Sequence, residues 1–137
     1  MKIYLDASVV LRHLLGEPDP LAIPKDAELG SSELTIAECH RVLDRYRLLR
    51  ALDGDVLHAR QAAVGRVLDS TLLLAVSGHV LNRASYPLPV PLATLDALHL
   101  STALVWQEST PEPVSFATHD LALARAARGM HLDVVGV

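Results

Sequence analysis

The sequence predicts an α/β fold, a single domain with a mostly parallel central sheet flanked by helices. Short β-prone runs and helix-period runs alternate along the chain. Their order is strand, helix, strand, helices, strand, helices, strand, helix, strand. One strand candidate, Thr71–Val76, is apolar throughout, as a parallel strand covered on both faces would be. At 137 residues the chain is long enough for one proper core and too short for two domains.

Lys2–Leu5 alternates and is β-prone, giving the first strand. Asp6-Ala7-Ser8 turns the chain with residues suited to capping. Val9–Leu15 then reads as a short helix stopped by Gly16 and Pro18. Pro18–Pro24 is loop, and Ala27–Ser32 is a short, weakly marked strand. Thr35 to about Ala51 reads as a helix, because Ile36, Cys39, Leu43, Tyr46 and Leu49 recur at helical period. A second helix covers about Asp55–Leu68, bearing Val56, Ala59, Ala63, Val64 and Val67. After the strand Thr71–Val76, Ser77 caps a short helix through Arg83. Three prolines force Tyr86–Pro91 into an extended loop. Leu92–Trp106 is a helix, closed off by Ser109–Pro113. Val114–Ala117 is a strand, Asp120–Arg128 a helix ended by Gly129, and Leu132–Val137 the last strand. No internal repeat, linker or low-complexity tract interrupts the series.

Half of the residues are hydrophobic and only 20% are charged. An Ala/Leu/Val-heavy core and an apolar surface covered by a partner explain this share equally well. No apolar run approaches the ~18 residues that a membrane span needs. The chain opens on the strand-like KIYLD rather than on a basic-then-apolar export signal, so the cytoplasm is the expected location. Cys39 is the only cysteine, which excludes an internal disulfide and suits a reducing compartment. It reads as a small buried hydrophobe rather than a nucleophile. The formal charge of −4 argues against a simple basic nucleic-acid binder. Four acidic residues account for all of that charge, and bound cations would turn the local sign positive.

These four are Asp6 in YLDAS, Glu38 in LTIAE, Asp96 in TLDALHL and Asp120 in FATHD, each placed where a strand is expected to hand over to a helix. In open parallel sheets such points gather at one edge, where ligands bind. Each acid also has an ordinary explanation. Asp6 suits an Asx-turn, Thr35–Glu38 fits a capping box, Asp96 favours a helix dipole, and Asp120 can cap the helix after it. Neutral cappers, Ser8, Thr94 and Thr118, stand close to three of the four, so capping does not require the acids there. Four gathered carboxylates without matching lysines repel one another unless something positive lies between them. A hard divalent cation is the candidate.

The segments YLDASVVLRHLLGEP, LTIAECHRVLDRY, TLDALHLSTAL and FATHDLALARAARGMHLDVVGV, in that order and spacing, resemble the PIN-domain ribonucleases. They are most similar to the small bacterial toxins called VapC, and the resemblance covers essentially all of residues 1–137. It implies that Asp6, Glu38, Asp96 and Asp120 bind Mg²⁺ or Mn²⁺ and carry catalysis, with Ser8 and Thr118 at supporting positions. The implied reaction is metal-assisted hydrolysis of RNA phosphodiester bonds. Mg²⁺ prefers oxygen ligands and keeps several waters, which suits such a site. Under this reading Asp6, Asp96 and Asp120 contact metal directly or through water, and Glu38 either completes the cage or holds the attacking water. A homodimer and a small antitoxin partner are implied as well. The family pattern often has a basic residue near the start of the third motif. Here Leu92-Ala93-Thr94 stands in its place, which puts that residue's contacts to substrate or partner in question but not the acids.

Arg12, Arg41 and Arg45 are candidate RNA contacts, the last two sharing a helix face with spacing i, i+4. Arg47 and Arg50 read rather as solvated residues near Asp44. The seven histidines show no zinc-binding spacing; His99, three residues after Asp96, is placed to approach the pocket edge and His119 abuts Asp120, but both are expected to be structural or surface residues rather than general acids. Trp106 and Tyr46 read as core or interface. The main competing function is a non-catalytic PIN-like module that binds RNA or protein. A phosphotransfer aspartate at Asp6 lacks a well-placed lysine, and no Gly-rich loop follows the first strand to hold a dinucleotide.

Overall fold

The computed structural model describes residues 1–137. Its strands are β1 (Lys2–Leu5), β2 (Glu28–Ser32), β3 (Leu72–Leu74), β4 (Val114–Ala117) and β5 (Asp133–Val135). Its helices are α1 (Ala7–Leu14), α2 (Leu34–Leu48), α3 (Gly54–Asp69), α4 (Gly78–Ala84), α5 (Thr94–Glu108) and α6 (Leu121–Gly129). The strands pair in parallel throughout, in the order β3-β2-β1-β4-β5. The fold class read from the sequence is therefore the observed one.

Alternation along the central strands divides the core into two layers. Tyr4 of β1 and Phe116 of β4 pack with Leu100, Trp106 and Leu123 on the side of α5 and α6. Ile3, Leu5 and Ala117 pack with Val9, Val10, Cys39, Leu43 and Val64 on the side of α1, α2 and α3. Trp106 seats directly on β2, because a Cβ on Gly30 would lie 2.6 Å from its ring.

Chain direction across the sheet reverses at β1. The path steps outward from β1 through β2 to β3, then returns to β4 on the other side of β1. The carboxyl ends of β1 and β4 thus flank a switch point, the usual place for a ligand crevice in such sheets. The two ends are tied together where the Asp6 amide donates to the Ala117 carbonyl at 3.0 Å.

Several element readings change. Thr71–Val76 contributes only Leu72–Leu74, and it is not a doubly covered strand: Leu72 is 46% exposed and Leu73 36%. Its apolar run suggested a central strand, but β3 forms the edge of the sheet. α5 begins at Thr94, two residues later than its periodicity suggests, with Pro91 before it and Ala93 in extended backbone at its N-cap. α1 starts at Ala7, inside the expected turn, since Asp6 already occupies the N-cap position. On α2 only part of the expected apolar stripe is covered. Cys39 and Leu43 are buried, whereas Ile36 and Leu49 are exposed. The last strand is confined to Asp133–Val135, because Gly136 turns away with φ +99°.

Candidate active site at the carboxyl ends of β1 and β4

Asp6 is buried at the bottom of the site and holds its carboxylate through two hydroxyls. Ser8 Oγ and Thr118 Oγ1 both donate to Asp6 Oδ2, at 2.6 and 2.9 Å. The same hydroxyls accept backbone amides, Ser8 from His119 at 3.0 Å and Thr118 from Asp120 at 3.0 Å. Two turns distant in sequence are thereby locked together. The positions expected to be supporting ones do touch Asp6. Asp120, more exposed, caps α6 by accepting from the Leu123 amide at 2.8 Å. The presence of Thr118 does not relieve Asp120 of capping, as sequence reasoning expected, because Thr118 is spent on Asp6.

Glu38 comes from the second turn of α2 rather than from a strand-to-helix junction. The capping box is absent: Glu33 is the N-cap residue and its side chain makes no cap bond, while Ser32 Oγ accepts the Leu34 amide at 3.1 Å. Ser31 Oγ donates to the Leu5 carbonyl at 2.7 Å, so Thr35 Oγ1 is the donor in the 2.7 Å bond between the two hydroxyls. This buried pair seats the start of α2 over the end of β1. Glu38 itself accepts from His99 Nε2 at 2.6 Å. Asp96 stands in the first turn of α5, which follows a loop and α4 rather than a strand.

Electrostatics show that the four acids share one environment. Burial raises the pKa of Asp96, the charges of Asp6 and Asp120 raise it further, His99 lowers it, and Glu38 adds a last increment upward. For His99, burial pulls the pKa down, but the Glu38 hydrogen bond and the charges of Asp6, Glu38 and Asp96 outweigh it, and the net shift is upward.

The profile of the PIN domain family matches residues 3–129, the span that carries all four acids. This chain belongs to the PIN domain family. Within that family it resembles the VapC proteins. It is 32% identical over 133 residues to the Ribonuclease VapC46 of Mycobacterium tuberculosis, covering 97% of this chain and 95% of that protein. Its fold is also that of the crystal structure of VapBC2 from Rickettsia felis bound to a DNA fragment from their promoter. That match has a TM-score of 0.68 at 14% identity and covers 98% of both chains, a likeness of fold.

In this PIN domain no three His, Cys, Asp or Glu side chains stand arranged as a ready-made metal cage. Hydroxyls hold Asp6, His99 holds Glu38, and a helix amide holds Asp120. The chemistry of the donors nevertheless fits a hard cation, since all are carboxylate oxygens. Each of these three carboxylates keeps its second oxygen outside those bonds. Cys39, next to Glu38, is unsuited to nucleophilic work: burial and then the Glu38 charge push its thiol up to about 12.

The arginines divide. Arg41 and Arg45 line a groove of about 370 Å³ beside Glu38, with Leu11 and Leu95 among its walls. Arg41 pairs with Asp44 at 2.8 Å, as does Arg47, whereas Arg45 is exposed outside the ion pairs. Arg12 lies on a second groove with Ser8, His119 and Asp120, and it reaches Glu17 at 3.8 Å. His119 donates from Nδ1 to the Gly136 carbonyl at 2.7 Å, while its buried Nε2 has no hydrogen-bond partner.

His99 and Tyr4 are the residues sequence reasoning undervalued. His99 is buried, not on the surface, and lies 4.0 Å from Asp6 as well as against Glu38. Tyr4 OH bonds its other ring nitrogen at 2.7 Å. A signal was available, since His99 is three residues after Asp96 on one helical face and Tyr4 is two before Asp6 on one strand face.

Proposed function

We propose that residues 1–137 act as one PIN domain, a Mg²⁺- or Mn²⁺-dependent endoribonuclease and the toxin of a cytoplasmic VapBC-type pair. The observation that carries this reading is the gathering of Asp6, Glu38, Asp96 and Asp120 at the switch point, with no lysine or arginine paired to them. A bound divalent cation would lower the pKa of a water and offset charge on the phosphoryl group. Asp6, Asp96 and Asp120 supply oxygens to hold it, and Glu38 completes the set or orients the attacking water. Likeness to a ribonuclease supports the substrate, and likeness to the VapBC2 complex supports an antitoxin partner. The test is RNA cleavage and thermal unfolding of the purified chain, each with Mn²⁺ and with EDTA. Cleavage and added stability only with Mn²⁺ are expected. RNA binding without cleavage in either condition would favour the non-catalytic module.

Arg45, with Arg41 beside it, is suited to RNA phosphates at the groove. Arg45→Ala should weaken single-stranded RNA binding and reduce the salt slope by about 0.7, the share of a single neutralised phosphate. An unchanged slope would remove Arg45 from the interface. A homodimer is supported by the apolar edge strand β3 and by the half-exposed Leu81 on α4, since an uncovered apolar edge invites pairing. Sedimentation across a concentration series should show a dimer. A monomer at every concentration would refute it.

A further inference from the structure

We propose that His99 is a positioning residue for Glu38: its ring, held from behind by Tyr4, fixes which way the free Glu38 oxygen points in the acidic site. The inference rests on the nuclease reading above. Glu38 is the longest of the four acidic side chains and would otherwise sample many rotamers. Asp6 is fixed by two hydroxyls and Asp120 by a helix amide. For Glu38 that part falls to His99, at 2.6 Å from Oε1.

Hydrogen-bond chemistry assigns the ring. An ionised carboxylate only accepts, so Nε2 carries the proton and donates to Glu38. Nδ1 bonds the Tyr4 phenol at 2.7 Å, accepting from it in the neutral ring and donating to it in the imidazolium. Both nitrogens are satisfied although the side chain is only 1% exposed, as a retained buried imidazole requires. Tyr4 is itself wedged, stacked on Phe116 with centroids 5.3 Å apart and edge-on to His99 at 6.0 Å. The line from Phe116 through Tyr4 and His99 to Glu38 joins β4, β1, α5 and α2. Groups that orient metal-ligating side chains typically contribute 10–100-fold to metal affinity or activity.

Two measurements test this. Imidazole ¹⁵N spectra of the metal-free protein should show His99 Nε2 protonated, with a strongly deshielded proton. Glu38→Gln should move the Nε2 signals, and Tyr4→Phe the Nδ1 signal. Mn²⁺ titration should then show affinity about 10–100-fold weaker in His99→Leu. His99→Gln, which keeps a donor, should recover part of the loss, and His99→Leu should add little in a Glu38→Gln background. A His99 resonance indifferent to Glu38→Gln would overturn the proposal, even if His99→Leu proves too unstable to titrate. So would unchanged Mn²⁺ affinity in folded His99→Leu, or an equal loss in both backgrounds. A wild-type chain that neither binds Mn²⁺ nor cleaves RNA would instead overturn the nuclease reading, and the positioning role with it.

Discussion

Asp96→Asn should abolish Mn²⁺-dependent RNA cleavage, by at least about 100-fold, while leaving the metal-free protein as stable as wild type or more so. The loss should exceed the 10–100-fold typical of groups that only orient a ligand, because Asp96 offers its own oxygens. The stability sign follows from linkage. Burial and the neighbouring acids raise the Asp96 pKa. An acid whose folded pKa is raised contributes stability that is present below its unfolded pKa and is lost as pH rises through the folded one. At neutral pH its charge therefore costs stability, and asparagine removes that cost. Mn²⁺ at 100 times its Kd should stabilise wild type by about 2.7 kcal/mol. For a domain of this size that is roughly 10 °C in midpoint. Asp96→Asn should show only a small fraction of that shift. Asp6→Asn is a useful contrast: Asp6 is buried under two hydroxyl donors, so its replacement should cost stability without metal as well. If Mn²⁺ shifts nothing and Asp96→Asn merely destabilises, the acids are structural and the nuclease reading loses its support.

The fold was legible where local pattern and tertiary environment agree. Lys2–Leu5 and Val114–Ala117 are observed with the boundaries their sequence suggests, because both strands are central and buried. Leu72–Leu74 misled because the apolar run of an exposed edge strand looks, in sequence, like that of a central one. The stripe on α2 misled for a related reason. Ile36 and Leu49 keep the helical period, yet only the middle of that helix, at Cys39 and Leu43, is covered, where it packs with α1 and α3.

The site was legible in its acids and opaque in its wiring. Asp6 and Asp120 sit at strand ends, where local signals are strong. Glu38 and Asp96 lie on helices whose placement depends on long-range packing. Thr35–Glu38 fits a capping box in sequence, but Thr35 bonds Ser31 and Glu38 bonds His99, sixty-one residues away. No local rule reaches across that distance. The near miss was His99: helical spacing puts it on the Asp96 face, but only the packed structure shows that Tyr4 closes the space behind it.

Phe116→Ala should be among the most destabilising single changes in this chain, because Phe116 is fully buried at the centre of the sheet. Truncating a buried phenylalanine costs about 3–5 kcal/mol in transfer and cavity terms. Against a total of roughly 5–15 kcal/mol, that is a large share. The midpoint in urea should fall with little change in slope, as befits a cavity rather than an altered unfolded state. The substitution also removes the ring on which Tyr4 stacks, so a second effect is expected at the site. Leu123→Ala is the matched control: it is equally buried in the same cluster, costs about 2–5 kcal/mol, and leaves the Tyr4–Phe116 stack intact. With both variants held where they are fully folded, Phe116→Ala should weaken Mn²⁺ binding more than Leu123→Ala does. Equal losses would mean that the core supports the acids only by keeping the fold, with no specific line through Tyr4 and His99. A larger loss in Phe116→Ala, absent from Phe116→Tyr, would tie the direction of Glu38 to an aromatic wall on the far side of β1.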